Sequence, residues 1–502
     1  GWQGKMLYVG GKAIIIKHIL QSQAIHLFAA MVPPKTILNQ MEKYFSNFFW
    51  GQREEKNNYH WSSWEKMCYP TDEGGLGFKR LQDICKAFNA KRWWRIRTEE
   101  NIWSKFLTAK YCPRSNLVSK IWNPKDSSIW KSLMDIRPKV EPHILWKINN
   151  EDALFWWDNW SNIGPLANNT SLPNKPGNIK ITHFVQDREW NSRILKEYLP
   201  EPQVQAILEV RIGPRDHKDQ PIWSPTIDGR FSCASAWNIL RQRKDRVPHM
   251  AMIWRKEIPF KISFFMWRLL NKKLPLDDNM GRFNFQNVSR CTCCRFPREE
   301  TCHHVFASGD KAKRIWNAMS MPLGIRISEA TFGGILRIWW QATPNNAVHN
   351  FILKITPIFV LWELWKVRCA KRYGSKNTSD RNIFYQILFN IKIAISKRFC
   401  PMNREWSWVT VCNFSYFFRP KLTSCLVKWS RPPVSSIIVN TDGSYITSIN
   451  KAGAGGIVRK EKGDMVMAFA KQFQFLTNNY SEAQAALFGI TWCCDNQWSN
   501  FI

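Results

Sequence analysis

The stretch SSIIVNTDGSY, Ser435–Tyr445, decides the fold of the last part of the chain. Its apolar positions alternate, Ile437 then Val439, which is the period of a strand with one buried face. The run ends on one acid, Asp442, flanked by Thr441, Gly443 and Ser444. An Asp-Gly pair most often closes a turn. The other reading makes Asp442 one member of a metal-binding set whose partners lie elsewhere. Downstream, GAGGIVRKEKGD and MVMAFAKQFQF read as two more strands, and NNYSEAQAALFGITWCCDNQW as an amphipathic helix with Glu482 in its first turn. WSRPPVSS, Trp429–Ser436, reads as a linker into this small α/β unit.

Upstream the pattern changes. From Lys12 to Trp50 the apolar spacing is helical, broken at Pro33–Pro34 and stopped by Gly51. DEGGLGFKRL is rich in glycine but lacks the spacing and the Lys-Ser/Thr ending of a P-loop, so it predicts a tight turn. The helix LQDICKAFNAKRWWRIR follows. Residues 121–230 are richer in Pro, Asn, Asp and isolated Trp, and read as short strands and turns. The helix pair SCASAWNILRQ and MIWRKEIPFKISFFMWRLLNKKLP precedes a Cys/His cluster. Mostly helical sequence then runs from Lys311 to Lys397, with the polar break YGSKNTSDRN inside it. No internal repeat stands out.

Five hundred and two residues exceed what one core organises, so two to four domains are expected. Charge is more informative. Lys plus Arg number 72 against 39 Asp plus Glu, a net +33, which makes a polyanion the first partner to consider. The chain also holds 28 Trp, some beside basic groups. KRWWRIR, Lys91–Arg97, offers Lys91, Arg92 and Arg95 to a nucleic-acid backbone and indoles to its bases. The plainer reading is an amphipathic helix with Trp inward and Arg in solvent, and for any single stretch it is the better one.

Fourteen Cys without a secretory leader point to reduced thiols inside the cell, nuclear or cytoplasmic. No apolar run reaches the ~18 residues that a bilayer span needs, so no membrane association is expected. The chain opens on GWQGKML without an initiating Met, as a fragment or a trimmed product would.

CTCCRFPREETCHHVFASGD, Cys291–Asp310, carries the clearest metal pattern. Cys291 and Cys294 have the two-residue spacing that lets one turn present two thiolates to a tetrahedral ion. His304 is the third candidate ligand, with Cys293, Cys302 and His303 as spares. The position that would close a zinc site most naturally is Gly309, so the sequence reads as an incomplete, degraded structural site.

Along nearly its whole length the chain resembles the C-terminal part of plant non-LTR (LINE-type) retrotransposon reverse transcriptase polyproteins. GGKAIIIKHILQSQAIHLFAAMVPP, FFWG, HWSSWEKMCYPTDEGGLGFKRL and KRWW are similar to the region after the polymerase palm, and WWDNW and GRFSCASAW to the spacer that follows. IWRKEIPFKISFFMWRLLNKKLP with CTCC, ETCHHVF and Trp316 resembles the reverse-transcriptase zinc-binding module. VKWSRPP, VNTDGS and AGAGGIVR, with Glu482 in NNYSEAQAALFGI, resemble the opening half of a type 1 ribonuclease H domain. The palm is outside the resemblance, and no YADD-like string occurs.

The resemblance implies a multidomain protein, mostly α in its N-terminal and central regions, with a small Cys/His module and then a truncated α/β unit of three antiparallel strands and one helix. The segments are 1–125 after the palm, 126–215 a Trp/Pro-rich spacer, 216–320 the zinc-binding module, 321–430 a helical connector and 431–502 a partial ribonuclease H-like domain. The implied chemistry is hydrolysis of RNA in an RNA–DNA hybrid, using two Mg²⁺ ions ~4 Å apart on a set of carboxylates. Asp442 fills the first carboxylate role and Glu482 the second, with Asp442 ending its strand and Gly443 and Ser444 providing a tight turn that leaves it exposed to hybrid. Asp495 falls on a variable helical position. The third acid is expected just past WSNFI, so the 502 residues are expected to bind RNA–DNA hybrid, RNA or single-stranded DNA without hydrolysing it. Family activity would be that of an RNA–DNA hybrid endoribonuclease; oligomeric state is open.

Overall fold

A computed structural model describes residues 7–53, 56–57, 59–113, 115–161, 164–169, 177–214, 216–281, 288–327, 331–399, 401–403, 405–419, 433–446, 451–474, 478–498 and 500–501. Two compact units divide the chain, Gly1–Phe418 and Arg419–Ile502.

In the first unit the proline break and the glycine stop act where the sequence places them. Pro34 caps helix α1, Lys35–Trp50, and Gly51 ends it at φ 89°. One face of α1 buries Leu38, Phe45 and Phe49. Helix α2, Leu81–Thr98, buries Leu81, Ile84, Ala87, Ala90, Trp93 and Ile96. The region 121–230 is more helical than its composition predicts. It contains α3, Ser128–Val140, and shorter helices at Ser192–Tyr198 and Glu201–Leu208. Local chemistry explains α3: Ser127 accepts from the Trp130 amide as an N-cap, and Trp130, Leu133, Met134 and Val140 recur at helical spacing on the buried face. Strands are few here. β1, Ile144–Lys147, pairs antiparallel with β2, Gln220–Trp223, and a two-residue hairpin joins Val185–Gln186 to Glu189–Trp190.

The largest core of this unit gathers around α4, Phe260–Leu270, and the long α6, Ala347–Gly374. Between them lies α5, Asp310–Ser320, and beyond them α7, Asp380–Arg398. The polar break separates α6 from α7, with Ser375 at φ 49° and Ser379 capping α7. Two stretches, Val9–Ala30 and Ala347–Gly374, are long and apolar enough to cross a bilayer, where the sequence reading found none. For α6 the reason is burial: Ile352, Leu353, Ile355, Ile358, Val360 and Leu361 are at most 1% exposed inside the core. Val9–Ala30 buries Ile16 and Phe28 and exposes Ile14, Ile19 and Leu27.

The second unit is the α/β element that SSIIVNTDGSY announces. β3 is Ile437–Ile446, β4 Lys451–Lys460, β5 Met465–Gln474 and α8 Asn478–Asp495. The sheet order is β3-β4-β5, all antiparallel, with a register shift at Val458/Arg459. α8 packs on β3 around the buried Ile437, Val458 and Cys493. After α8 the chain returns to the far edge of β3, where Phe501 bridges Ile437 in parallel and Asn500 accepts from the Ile437 amide.

One expectation is corrected. β3 does not stop at Asp442; pairing continues from Gly443↔Ala454 to Ile446↔Lys451, so Asp442 sits inside a strand opposite Gly455. Gly443 and Ser444 make no turn. The glycine is needed for close approach: a Cβ there would lie 2.2 Å from the Glu482 nitrogen and from the Ser481 carbonyl carbon. Gly489 allows a second close approach two turns further along α8, where a Cβ would meet Val439 Cγ1 at 2.6 Å.

Candidate metal sites and nucleic-acid contacts

Alternation along β3 separates two faces. Gly443 and Ile437 are buried beneath α8, while Asn440, Asp442 and Ser444 are exposed. Glu482 is exposed as the fifth residue of α8, directly after the buried Ser481 and past the first turn in which the sequence reading placed it, because the helix already begins at Asn478. The contact at Gly443 therefore sets the backbones that carry Asp442 and Glu482 side by side. Asp495, at the other end of α8, is exposed. Oxygen donors at the surface suit a hard, hydrated cation such as Mg²⁺. Among the described residues no third carboxylate joins this pair.

The Cys/His cluster does assemble. Cys291, Cys294 and His304 place one ligand atom each within 4.8 Å of the others. Cys291 Sγ and Cys294 Sγ are 3.9 Å apart, close to the ~3.8 Å edge of a tetrahedron with metal–sulfur bonds of ~2.3 Å. Cys291 and His304 are buried, and His304 Nε2 has no hydrogen-bond partner. A buried, unpartnered imidazole nitrogen facing two sulfurs fits a soft divalent ion such as Zn²⁺. Without metal, the thiol–thiol bond to Cys291, reinforced by burial, pushes the Cys294 thiol well above its ordinary range. Metal binding has to displace that proton.

The local fold explains the aim of each ligand. The Cys291 amide donates to the Arg298 carbonyl at 2.7 Å, closing the loop that carries both sulfurs. His304 opens a wide π-type turn, His304–Ser308, whose Gly309 amide returns to the His304 carbonyl at 2.8 Å. Trp316 on α5 donates to the Phe306 carbonyl at 2.8 Å and holds the turn against the helix. Of the spare residues, Cys293 bonds the Cys291 thiol without joining the three-ligand group, and Cys302 and His303 stay apart from it. The Cys302 amide donates to Asp278 Oδ2 at 2.9 Å, and burial pushes its thiol up to about 12. His303 is exposed.

KRWWRIR is a core-building segment. Trp93 is fully buried and donates to Glu141 Oε2 at 2.6 Å. Trp94 packs on Trp223 and Phe231, with centroids 5.8 and 5.5 Å away. The indoles thus serve the core. Arg92 donates to Asn89 Oδ1 and to the Phe28 carbonyl, and Arg95 pairs with Glu99 at 2.8 Å. Lys91 is exposed.

Several features escaped the sequence reading. Arg97, in the same stretch, is buried between Glu141 and Asp158. Glu300, between Cys294 and His304, is buried against Arg368 and Arg372 of α6. An open cleft of about 630 Å³ is lined by residues including Lys43, Tyr59, His60, Trp64 and Arg80. Each joins residues far apart in the chain, so no local spacing signals it.

Comparison with known proteins adds a second line. Residues 231–316 match the family described as zinc-binding in reverse transcriptase, and residues 440–502 match the family described as reverse transcriptase-like. A protein of Arabidopsis thaliana named "Putative ribonuclease H protein" is 25% identical over 508 aligned positions, covering 98% of this chain and 78% of the relative. An "Uncharacterized mitochondrial protein" of the same plant is 27% identical over 142 positions, 28% of this chain and 89% of the relative. The matched segments coincide with the Cys/His cluster and with the Asp442–Glu482 unit.

Proposed function

We propose that this plant retrotransposon-derived, ribonuclease H-like protein binds RNA–DNA hybrid at its second unit, where Asp442 and Glu482 hold Mg²⁺ against the phosphate backbone. The observation that carries this reading is the Gly443 contact, which presses the strand backbone next to Asp442 against the helix backbone at Ser481 and Glu482. When bound, divalent ions in such sites activate water and neutralise the charge developing on phosphate. The chain's own residues do the positioning. Asp442 is fixed by the pairing of its strand with β4, opposite Gly455, and Glu482 by the helix backbone pressed onto Gly443. Ser444 lies on the Asp442 face of β3 and is placed to donate to a phosphate oxygen.

Two carboxylates are short of what a pair of dications requires. The polypeptide of residues 1–502 is therefore expected to bind hybrid without turnover. A strand continuing the Phe501–Ile437 register would bring its fifth residue past Phe501 level with Asp442, since Asp442 is five residues past Ile437. That is the place from which a third acid would reach the pair.

The first unit supplies the remaining affinity. The whole 502-residue chain carries a net charge of +33, which favours phosphate, and the exposed Lys91 of the first unit belongs to that excess. In this reading 216–320 is a zinc-binding module bracing the connector, 1–125 and 126–215 precede it, and 431–502 is the hybrid-binding domain. All the described cysteines are free thiols, which supports an intracellular setting.

The test is hybrid binding by residues 1–502 across a salt series, with Mg²⁺ and with chelator. Binding should weaken steeply with salt and lose a Mg²⁺-dependent part in Asp442→Asn. Affinity indifferent to salt would remove the polyanion reading. Hybrid cleavage that vanishes in Asp442→Asn would overturn the expectation of binding without turnover.

A further inference from the structure

Four cations from three separate stretches of the first unit gather without an ion-pair partner. Lys273 follows α4; its Nζ donates to Ser62 Oγ at 2.7 Å and lies 4.4 Å from the Trp267 ring centroid. Arg268, in the last turn of α4, donates from Nε and Nη2 to the Lys273 carbonyl at 3.0 and 2.7 Å, and sits 4.8 Å over the Trp61 ring. Lys66 is exposed four residues after Ser62, and Lys244 is exposed with its Nζ 4.0 Å over the Tyr69 ring. Burial lowers the Lys273 pKa to about 8, and Lys66, Lys244 and Arg268 lower it further in the same direction; no carboxylate opposes them. Among the described residues none of the four forms an ion pair. Glu65, Asp72 and Glu73, on the same stretch as Lys66, pair instead with Arg80, Arg246 and Arg241. The carbonyl end of α4 accounts for the Arg268 fork. It does not account for Lys66 and Lys244, which come from other elements.

We propose that Lys66, Lys244, Arg268 and Lys273 bind the phosphodiester backbone of a single-stranded nucleic acid, with a base of the same strand seated in the cavity beside Arg268. That open cavity of about 350 Å³ is lined by Arg268 together with Phe49, Trp50, Tyr59, Trp61 and Phe264. Its volume falls in the range of small-ligand pockets. Cations that follow the phosphates, beside aromatic rings that receive the bases, are the recurring chemistry of single-strand binding. A duplex keeps its bases stacked inside, so an aromatic wall of this kind selects an unpaired one. The site is also ordered in advance. The Lys273 amide returns to the Arg268 carbonyl at 2.8 Å, so one closed loop holds both cations and less order has to be gained on binding. An incoming phosphate then offsets the repulsion among the four charges. This inference rests on the reading that the first unit supplies affinity for phosphate, and it involves neither Asp442 nor Glu482.

The probe is a short fluorescent oligothymidylate, titrated with the full chain across a salt series, beside an abasic strand of the same length and an RNA–DNA hybrid. Lys273→Met should lower the slope of log affinity against log salt for oligothymidylate by about 0.7, one phosphate contact on a single strand. Lys66→Gln combined with Lys244→Gln should lower it by about twice that. Both of those residues are exposed, so the double variant keeps the test readable should Lys273→Met fail to fold. The parent should bind the abasic strand roughly 5- to 150-fold more weakly than oligothymidylate, the worth of about one stacked base. Slopes unchanged in the folded cation variants would overturn the phosphate site, and equal affinity for the abasic and thymidine strands would overturn the seat for a base. A parent that binds hybrid but not the single strand overturns this inference and leaves the hybrid reading standing. Binding of neither removes both.

Discussion

Replacing Glu300 by Gln tests how the metal module is held. Glu300 is 0% exposed, six residues after Cys294 and four before His304. Its Oε1 accepts from Arg368 Nη2 at 2.6 Å and Arg372 Nη1 at 2.9 Å, and its Oε2 accepts from Arg368 Nε at 3.2 Å. Arg368 is 1% exposed and also donates to the Pro275 carbonyl. The substitution conserves shape but leaves a buried guanidinium without its counter-charge. Breaking a buried pair from one side costs about 3–5 kcal/mol, against roughly 5–15 kcal/mol for a whole domain. That corresponds to about two to four decades in the folding equilibrium. Arg372 moderates the loss, because it keeps Asp277 Oδ1 at 2.8 Å. The assay is denaturant unfolding of the full chain, followed by near-UV circular dichroism. Replacing both partners, Glu300→Leu with Arg368→Met, should recover much of the loss, since the desolvation cost disappears with the charges. A Glu300→Gln chain within about 1 kcal/mol of the parent, well below the buried-pair range, would refute the reasoning.

Further expectations follow from other contacts. Gly443→Ala forces a Cβ into the backbone of Ser481 and Glu482, so it should cost about 1–3 kcal/mol or more and speed amide exchange in β3; unchanged exchange would count against the close approach. Lys273, half-buried against Trp267 and donating to Ser62, has its pKa lowered to about 8 by burial and by Lys66, Lys244 and Arg268. The folded state therefore binds that proton less tightly than the unfolded chain, and stability should rise with pH from about 8 to 10.5. Lys273→Met should lack that rise; a stability difference between the two chains that is constant over this window would contradict it. Chelating metal from the zinc-loaded chain should lower the melting temperature by the linkage relation, and His304→Ala should abolish that sensitivity.

The second unit was legible because its signals are local: alternating residues, an Asp-Gly-Ser run and an amphipathic helix, although that helix starts earlier than the sequence reading placed it, leaving Glu482 past its first turn. The Cys291, Cys294 and His304 group was legible for the same reason, since a two-residue spacing and one His lie within twenty residues of each other. The role of Gly443 was misread because Asp-Gly signals a turn in isolation, while here the glycine is demanded by a helix packed against it from 38 residues further on. α3 was missed because Trp, Asp and Pro weaken helix propensity, and tertiary burial of Trp130 and Leu133 overrides it. Burial likewise gave Trp93 and Arg97 structural partners, Glu141 and Asp158, that lie more than forty residues away.

The central claim is tested most directly by calorimetric titration of Mg²⁺ into the 1–502 chain bound to an RNA–DNA hybrid, beside Asp442→Asn and Glu482→Gln. Heat of binding that is present in the parent and lost in both variants is the outcome expected from ions held between strand and helix. Equal heats in all three chains would mean that neither acid touches the ion, and the hybrid-binding site would have to be sought elsewhere.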